Sequence, residues 1–192
     1  MLKDLVLQCR SYRRFHEDVT VGMETLKELV DLARCTASAT NRQPLKYVLS
    51  CSRERNAQIF SCLHWAAMLK IWSGPAEGER PAAYIVVLGD KDVVPSFGVD
   101  HGIAAQTILL GAVEKGLGGC MLAAVDRDDL KKLLSISPKL DVLLVIALGK
   151  PREKVVLDTL EPGASTNYWR DKDDVHHVPK RRLNDIIVAQ YE

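Results

Sequence analysis

The sequence predicts a single domain, residues 1–192, that combines α-helices with buried β-strands. Two continuous apolar runs, "AYIVVLG" and "VLLVIALG", have the length and the β-branched content of strands in the interior of a sheet. Stretches with apolar residues at helical spacing alternate with these runs, which is typical of a mixed α and β class. The 192 residues, of which 47% are hydrophobic, are enough to bury a sizeable core.

The first half of the chain is predicted to be mainly helical. Apolar residues recur at helical spacing in 2–10 and 21–36, which predicts two amphipathic helices with the loop "RFHEDVT" between them. "TASATNRQP" is small and polar and ends in proline, so we expect a loop. A strand, "KYVLSC", and a helix over 53–62 follow. "KIWSGPAEGERPA" contains several glycines and prolines, and we expect an exposed connection.

The second half opens with the strand "AYIVVLGD" and a helix rich in alanine and glycine. We expect this helix to be buried nearly all round and to stop at Gly116. One stripe of it carries Ile103, Thr107, Leu110 and Val113. "GGCMLAAV" is then predicted to be a strand, and "DRDDLKKLLSI" a helix with Asp126 as its N-cap.

The last buried strand is "DVLLVIALGKP", which Pro151 ends, and a long polar tail follows it. The tail finishes in the β-prone stretch "IIVAQY", far from the last core strand. Such a stretch often pairs with a sheet edge of its own chain or of a partner, which suggests a dimer.

Composition argues against several classes of protein. The formal net charge of +1 gives no global attraction to nucleic acid. No apolar run reaches the roughly 18–20 residues of a membrane span. The five cysteines form no C-x-x-C pair, so we expect reduced thiols in a cytoplasmic protein rather than disulfides or a zinc site. The N-terminus, with Asp4 and no long apolar stretch, does not resemble a signal peptide.

The basic stretch "RSYRRF" is the first candidate site. Its arginines could simply be solvated and complement the dipole at the end of the first helix. The alternative is an anion site, which requires Arg10 and Arg13 to point the same way with the Ser11 hydroxyl between them. Two guanidinium groups and a hydroxyl suit a phosphate monoester, which offers several strong acceptor oxygens.

Three further stretches could contribute to a ligand site. In "SATNRQP", Asn41 and Gln43 either cap turns or bind the edge of a heterocycle with mixed donors and acceptors. The basic stretch "VPKRR", with Lys180 and Arg181, is either a solvated face or a second arm that closes on an anion. The glycines of "KGLGGCMLAAV" are usually a helix C-cap, and their spacing fits neither the G-x-G-x-x-G fingerprint nor a P-loop.

Histidine and tryptophan residues give weaker signals. His176 and His177 adjoin each other without a ligand-spaced third residue, so we expect no metal site. His101 follows Asp100 at a helix start, where the two would form a capping pair or where His101 would donate a proton near a cofactor. Trp65 and Trp72 fit either core packing or an aromatic wall. No hydrolase motif is present.

Taken in order, these stretches resemble the nitroreductase family of FMN-dependent enzymes. "RSYRRF" is similar to the family's R-S-x-R-x-F, and "ASATNRQP" to its small-small-x-N-x-Q-P segment. "DHGIAAQTILLGAVEKGLGGCML" resembles its central helix, D-x-G-x-A-x-Q-x-x-x-L-x-A-x-x-x-G-L-G. "LGKP" and "VPKRRL" resemble the G-x-P after its last core strand and its terminal basic segment. The resemblance runs through nearly the whole chain in the family's order.

The resemblance implies an α+β fold with a central, mainly antiparallel sheet flanked by helices. It implies a homodimer with the C-terminal tail exchanged onto the partner and with FMN at the interface. The implied phosphate ligands are Arg10, Ser11, Arg13, Lys180 and Arg181. The implied neighbours of the flavin ring are Asn41, Gln43, Gly119, Cys120, Met121, Leu122 and Ala123.

The implied activity is ping-pong transfer of electrons from NADH or NADPH through FMN to a small organic acceptor. Two other functions are compatible with the residues: a flavin-binding or flavin-storage protein without efficient turnover, and binding of another phosphate ligand or RNA. Cys9 stands where many relatives carry a basic residue, and Leu45 where many carry tryptophan after Q-P. The chain is also short for the family, so we expect no elaborate substrate lid.

Overall fold

The computed structural model describes residues 1–69 and 71–192 and shows an α+β fold. The helices are α1 (Leu2–Gln8), α2 (Met23–Arg34), α3 (Arg53–Ser61), α4 (Asp100–Glu114) and α5 (Arg127–Leu133). The strands are β1 (Phe15–His16), β2 (Leu45–Ser50), β3 (Ala83–Asp90), β4 (Gly118–Leu122), β5 (Leu140–Pro151), β6 (Val155–Thr159), β7 (Trp169–Arg170) and β8 (His176–Lys180). Among the described helices, none has the length and apolar content that crossing a membrane requires.

The central sheet is five-stranded and antiparallel at every pairing. β5 lies beside β3, which lies beside β2 at the outer edge. On the side away from β3, β5 pairs with β4 from Gly118↔Gly149 to Leu122↔Val145, and the end of β5 pairs with β1 at Phe15↔Pro151. The apolar runs that predicted strands form β3 and β5, whose central residues are buried because both faces of the sheet are covered.

Helices cover the two faces of this sheet. On one face, α2 and α4 contribute Leu26, Leu29 and Ile108 to a core that includes Ile85 and Ile146 of the sheet. On the other face, α3 and α5 contribute Ile59 and Leu130, which pack with Tyr84, Val86 and Val145. The functional regions described below lie at the edges of this sandwich.

The structure corrects the expectation that α4 is buried nearly all round. Its buried side carries Ala104, Ala105, Ile108, Leu109 and Ala112. The predicted stripe lies on the more open side, where Ile103 is 37% exposed. The helix stops as predicted, with Gly116 at a φ of 69° in the left-handed region that favours glycine.

One other expectation for local structure, the loop at "RFHEDVT", was wrong. "RFHEDVT" contains the two-residue strand β1, because Phe15 and His16 pair with the end of β5. "IIVAQY" forms no strand with the described residues of its own chain, and Val188 in it is fully exposed. Asp126 is the N-cap residue of α5, as predicted, but its carboxylate contacts His64 Nε2 at 2.9 Å rather than a backbone N–H of the helix.

The polar tail contains a second, three-stranded sheet that the sequence analysis missed. β6 and β8 run parallel and β7 pairs antiparallel with β8. His177, in β8, lies between two carboxylates: its Nδ1 is 2.9 Å from Asp158 Oδ2 and its Nε2 is 3.3 Å from Asp171 Oδ2. Trp169 stacks on its ring at a centroid distance of 4.2 Å. The side chain of His177 therefore ties the three strands together.

The charge of His177 makes the stability of this sheet depend on pH. Desolvation lowers the pKa of His177, but hydrogen bonds and charges of Asp171 and Asp158 outweigh it, so its pKa is raised. Stabilisation by a group with a raised pKa is complete below its unfolded pKa of about 6.5 and disappears as the pH rises through the folded pKa. We expect that His177→Gln no longer loses stability as the pH rises through this range.

Thermal unfolding midpoints measured from about pH 6.5 to 9 check this expectation. His176 does not interfere, because burial and the charges of Arg13 and Arg170 lower its pKa to about 4. A lowered histidine pKa costs stability only as the pH falls below the unfolded value. If the unfolding midpoints of the wild type and His177→Gln changed with pH in the same way, the role assigned to His177 would be contradicted.

Candidate functional site

The basic N-terminal stretch lies directly against the edge of β4. The Tyr12 N–H donates to the Gly119 carbonyl at 3.0 Å, and Ser11 and Gly119 form a parallel β-bridge. A Cβ atom on Gly118 would come within 2.5 Å of the Tyr12 ring, so only glycine permits this approach. Two stretches that are about a hundred residues apart in sequence thus form one continuous surface.

Arg10 lies at the C-terminal end of α1, where its side chain is only partly satisfied. Its Nη2 donates to the Val6 carbonyl at 2.6 Å, which agrees with the helix-end interpretation. Its Nε is buried and has no hydrogen-bond partner among the residues that the structure describes. Cys9, beside it, is a core residue whose sulfur accepts from Gln106 Nε2 at 3.5 Å, and burial raises the pKa of its thiol.

Arg13 points toward the tail of its own chain. Its Nη1 donates to the Ser11 carbonyl at 3.2 Å and lies 3.2 Å from His176 Nε2. Its guanidinium also stacks over the Tyr168 ring, 4.8 Å from the centroid. His176 is 1% exposed and, with its lowered pKa, is neutral near pH 7, so its Nε2 can accept from Arg13. In this arrangement the tail covers one side of the Arg13 guanidinium.

A buried carboxylate holds this region together. The side chain of Glu153 is 1% exposed and pairs with Arg170 Nη2 at 2.9 Å. The same carboxylate accepts from the backbone N–H groups of Arg13 and Arg14. Arg170 also stacks on Trp72 at 4.4 Å. Sequence reasoning missed Glu153 and Arg170, because charged residues in a polar stretch give no sign of which are buried.

The loop with Asn41 and Gln43 is anchored to the start of α4. The Ser38 hydroxyl donates to Asp100 Oδ2 at 2.6 Å, and Asp100 is 4% exposed. Asp100 thus holds the loop instead of forming the predicted capping pair with His101. Asn41 and Gln43 are exposed, with φ angles of 54° and 52°, and the Gln43 amide donates to Asn41 Oδ1 at 3.1 Å.

Within one chain, this loop does not meet the basic N-terminal stretch. Among the described residues, no hydrogen bond or ion pair joins Asn41 or Gln43 to Arg10, Ser11 or Arg13. The loop lies instead beside the segment before α4, where it forms one wall of a shallow pocket of about 310 Å³.

Lys180 and Arg181 lie apart from Arg13 in the single chain. β8 begins next to Arg13 at His176 and ends at Lys180, where the Lys180 carbonyl accepts from the Leu160 N–H. The side chains of Lys180 and Arg181 are exposed. No described contact connects either of them with Arg10 or Arg13.

The residues of β4 alternate between the two faces of the sheet, with Cys120 and Leu122 in one core and Met121 packed against the other. Cys120 and Leu122 are buried, Met121 is half-buried, and Ala123 follows the strand in an exposed position. Burial raises the pKa of the Cys120 thiol, which keeps it protonated and therefore a poor nucleophile. Trp65, 7% exposed, packs with Phe60 at 5.8 Å between ring centroids, so core packing describes it better than an open aromatic wall.

Comparison with known proteins assigns the chain to a family. The profile of the nitroreductase family matches residues 77–150, which include β3, α4, β4 and all but the last residue of β5. A curated protein of Methanothermobacter thermautotrophicus is 31% identical over 150 residues, which are 75% of this chain and 74% of that protein. This chain belongs to the nitroreductase family. The name of the archaeal relative proposes an NADH dehydrogenase/NAD(P)H nitroreductase.

Solved structures of nitroreductase-family proteins share the fold. A family member from Streptococcus pneumoniae superposes with a TM-score of 0.71 at 17% identity, over 99% of this chain and 100% of that one. An FMN-dependent nitroreductase from Clostridium difficile superposes with a TM-score of 0.63 at 22% identity, over 78% and 87% of the two chains. The family assignment predicted from the motifs is confirmed, and so is the α+β fold with its antiparallel sheet.

Proposed function

We propose that this nitroreductase-family protein is an FMN-dependent oxidoreductase that takes electrons from NADH or NADPH and reduces a small organic acceptor. The observation that carries the proposal is the pairing of Ser11 and Tyr12 with Gly119. It joins the arginine-bearing stretch to the glycine-rich edge of β4, the two regions that the family resemblance assigns to the phosphate and the ring. The names of the relatives from M. thermautotrophicus and C. difficile support the same activity.

The residues at this edge fit a phosphate group. The buried Nε of Arg10 is a donor without a partner among the described residues, and the Ser11 side chain is exposed. Guanidinium groups match the oxygens of a phosphate in charge and geometry. Arg13 can join them when the contacts that it makes with Tyr168 and His176 are released. We assign Arg10, Ser11 and Arg13 to the phosphate.

The protein's part in the reaction is to bind and orient the cofactor. When bound, FMN supplies the two-electron chemistry, as flavins do. We place the main chain from Gly119 to Ala123 beside the ring, where β4 ends and the chain becomes exposed. None of the described side chains here is assigned as an acid or a base.

We further propose a homodimer in which each site receives residues from both chains. Asn41, Gln43, Lys180 and Arg181 are exposed and lie away from Arg13 in one chain, which supports their delivery from a partner. Apolar residues are left on the outside as well: Ile103 on α4 and Leu183, Ile186, Val188 and Tyr191 in the tail. An exchanged tail would bury such residues against the partner.

The first experiment is an absorbance spectrum of the purified protein with FMN, before and after anaerobic addition of NADH or NADPH. We expect flavin bands that bleach within seconds. Bands that persist would favour a flavin-storage protein, and the absence of bands after addition of FMN would refute the cofactor.

Arg10→Ala tests the phosphate site itself. We expect the Kd for FMN to rise about 10- to 100-fold, because each charge-assisted hydrogen bond is worth about 1.5–3 kcal/mol. Arg34→Ala is the matched control, since Arg34 is an exposed arginine on α2 that pairs only with Asp31 among the described residues. An unchanged Kd in Arg10→Ala, measured by fluorescence titration, would show that Arg10 does not bind the phosphate.

A further inference from the structure

A second cavity lies on the other side of β5 from the Arg10–Gly119 region. It has a volume of about 680 Å³, within the range of pockets that hold small organic ligands. The loop before α2, the first turns of α3 and the segment leading into β3 form its walls. Because β4 and β3 pair with opposite sides of β5, this cavity is separate from the proposed FMN site.

Two buried polar groups in its wall lack partners. Tyr84 is 1% exposed, and its hydroxyl has no hydrogen-bond partner among the described residues. The Nε of Arg80, also buried, has none either within the part of the chain that the structure describes. An unpaired buried donor costs free energy that a ligand can recover by accepting its hydrogen bond.

Both groups present donors. An arginine Nε can only donate, and a protonated tyrosine hydroxyl donates one hydrogen. Desolvation by burial raises the pKa of the Tyr84 hydroxyl. The charge of Arg80 lowers this pKa and the charge of Glu17 raises it. The net effect is a raised pKa, so Tyr84 keeps its proton. The cavity therefore requires a ligand with acceptor atoms at this wall.

Two arginines beside these donors can attract an anionic acceptor, although three carboxylates also line the cavity. Arg80 and Arg53, at the start of α3, line the cavity, and no carboxylate of the described residues forms an ion pair with either. Glu17 also lines the cavity, and its carboxylate already accepts from the Gly78 N–H at 2.6 Å and from the Arg80 N–H at 3.1 Å. Asp18 and Glu77 are exposed at the rim.

An apolar wall completes the cavity. The Arg80 guanidinium lies over the Phe60 ring, 4.6 Å from its centroid. Ala57, which also lines the cavity, lies one turn before Phe60 on α3. A guanidinium stacked on an aromatic ring is held in one plane, so its free Nε–H has a defined direction.

We propose that this cavity binds a small organic carboxylate. Its oxygens accept from the Tyr84 hydroxyl and the Arg80 Nε, and its carbon skeleton packs against Phe60. The site does not depend on FMN or on the reaction proposed above.

Calorimetric titration of the full chain with benzoate tests the proposal, with benzamide as the uncharged analogue. We expect benzoate to bind at least about tenfold more tightly than benzamide, and Tyr84→Phe to weaken benzoate at least about fivefold. Tyr84→Phe removes a hydroxyl that makes no hydrogen bond with the described residues, so the thermal unfolding midpoint should not fall. Tyr47→Phe, on β2 outside the cavity, is the matched control and should leave the affinity unchanged.

Arg10→Ala separates this site from the proposed phosphate site. If benzoate binding survives Arg10→Ala and weakens in Tyr84→Phe, the carboxylate lies in this cavity. Equal affinities for benzoate and benzamide would overturn the proposal. So would loss of binding in Arg10→Ala with full affinity in Tyr84→Phe, because the carboxylate would then bind at the edge of β4.

Discussion

Glu153→Gln should lower the free energy of unfolding by about 3 kcal/mol, because it leaves the charge of Arg170 without its buried partner. Glu153 is 1% and Arg170 is 11% exposed at the side chain, and their atoms are 2.9 Å apart. The same carboxylate accepts the backbone N–H groups of Arg13 and Arg14, so its loss also loosens the N-terminal stretch. Urea unfolding monitored by tryptophan fluorescence measures this change in the free energy of unfolding.

Glu161→Gln provides the matched control for this prediction. Glu161 also pairs with an arginine of the tail, Arg182, but both side chains are largely exposed, at 68% and 46%. An exposed pair of this kind contributes about 0–1 kcal/mol. Adding Arg170→Met to Glu153→Gln should recover part of the loss, since it removes the unpaired charge and keeps an apolar contact with Trp72. Equal losses in Glu153→Gln and Glu161→Gln would mean that burial of the first pair has no energetic consequence.

Gly119→Ala should be about as damaging, with an expected loss of about 3 kcal/mol in the free energy of unfolding. An added Cβ would collide with the backbone carbonyl of Ala147 in β5 and come within 2.7 Å of the Leu109 side chain. The carbonyl belongs to the ladder that joins β4 to β5, so it cannot move without breaking that ladder. Thermal and urea unfolding of the variant measure the effect.

Gly102→Ala is the contrasting substitution. Gly102 is the third residue of α4, and nothing lies within 4 Å of the Cβ that alanine would add. Alanine in place of glycine, where the backbone conformation is compatible, stabilises by about 0.4–1 kcal/mol. A gain in Gly102→Ala together with a loss in Gly119→Ala would show that the space around the glycine decides the sign. If Gly119→Ala and the wild type had the same free energy of unfolding, the close approach of β4 to β5 at Gly119 would be contradicted.

The sequence predicted those parts of the fold in which burial produces a simple pattern of apolar residues. β3 and β5 are covered on both faces, so their residues are continuously apolar and the strands were evident. The tail strands β6 and β8 mix charged, polar and apolar residues and owe their pairing to contacts such as those of His177. α4 was expected to be buried nearly all round because both of its sides are apolar, and only the neighbouring helix and sheet decide which side is buried.

The same limit applies to the candidate site. The motifs identified the arginines and glycines, and the adjacency of Ser11 and Gly119 agrees with the placement that the resemblance implied. The cofactor roles of these residues remain predictions. Sequence could not show that Arg13 contacts His176 and Tyr168, or that Glu153 lies beneath it, because these partners are about 140 to 160 residues away along the chain. Contacts of that kind depend on the three-dimensional path of the chain alone.

The position of β5 has a consequence for how the protein is made. β5 is the shared partner of β1, β3 and β4, and all three precede it in the chain. A ribosome therefore releases most of the sheet before the strand that joins its parts has been synthesised. β2 and β3 can pair early, although the segment with α3 separates them along the chain, but one edge of β3, which is apolar from Ala83 to Leu88, stays open until residues 140–151 emerge. Open apolar edges favour association between chains, so this interval is when a nascent chain most needs protection by chaperones.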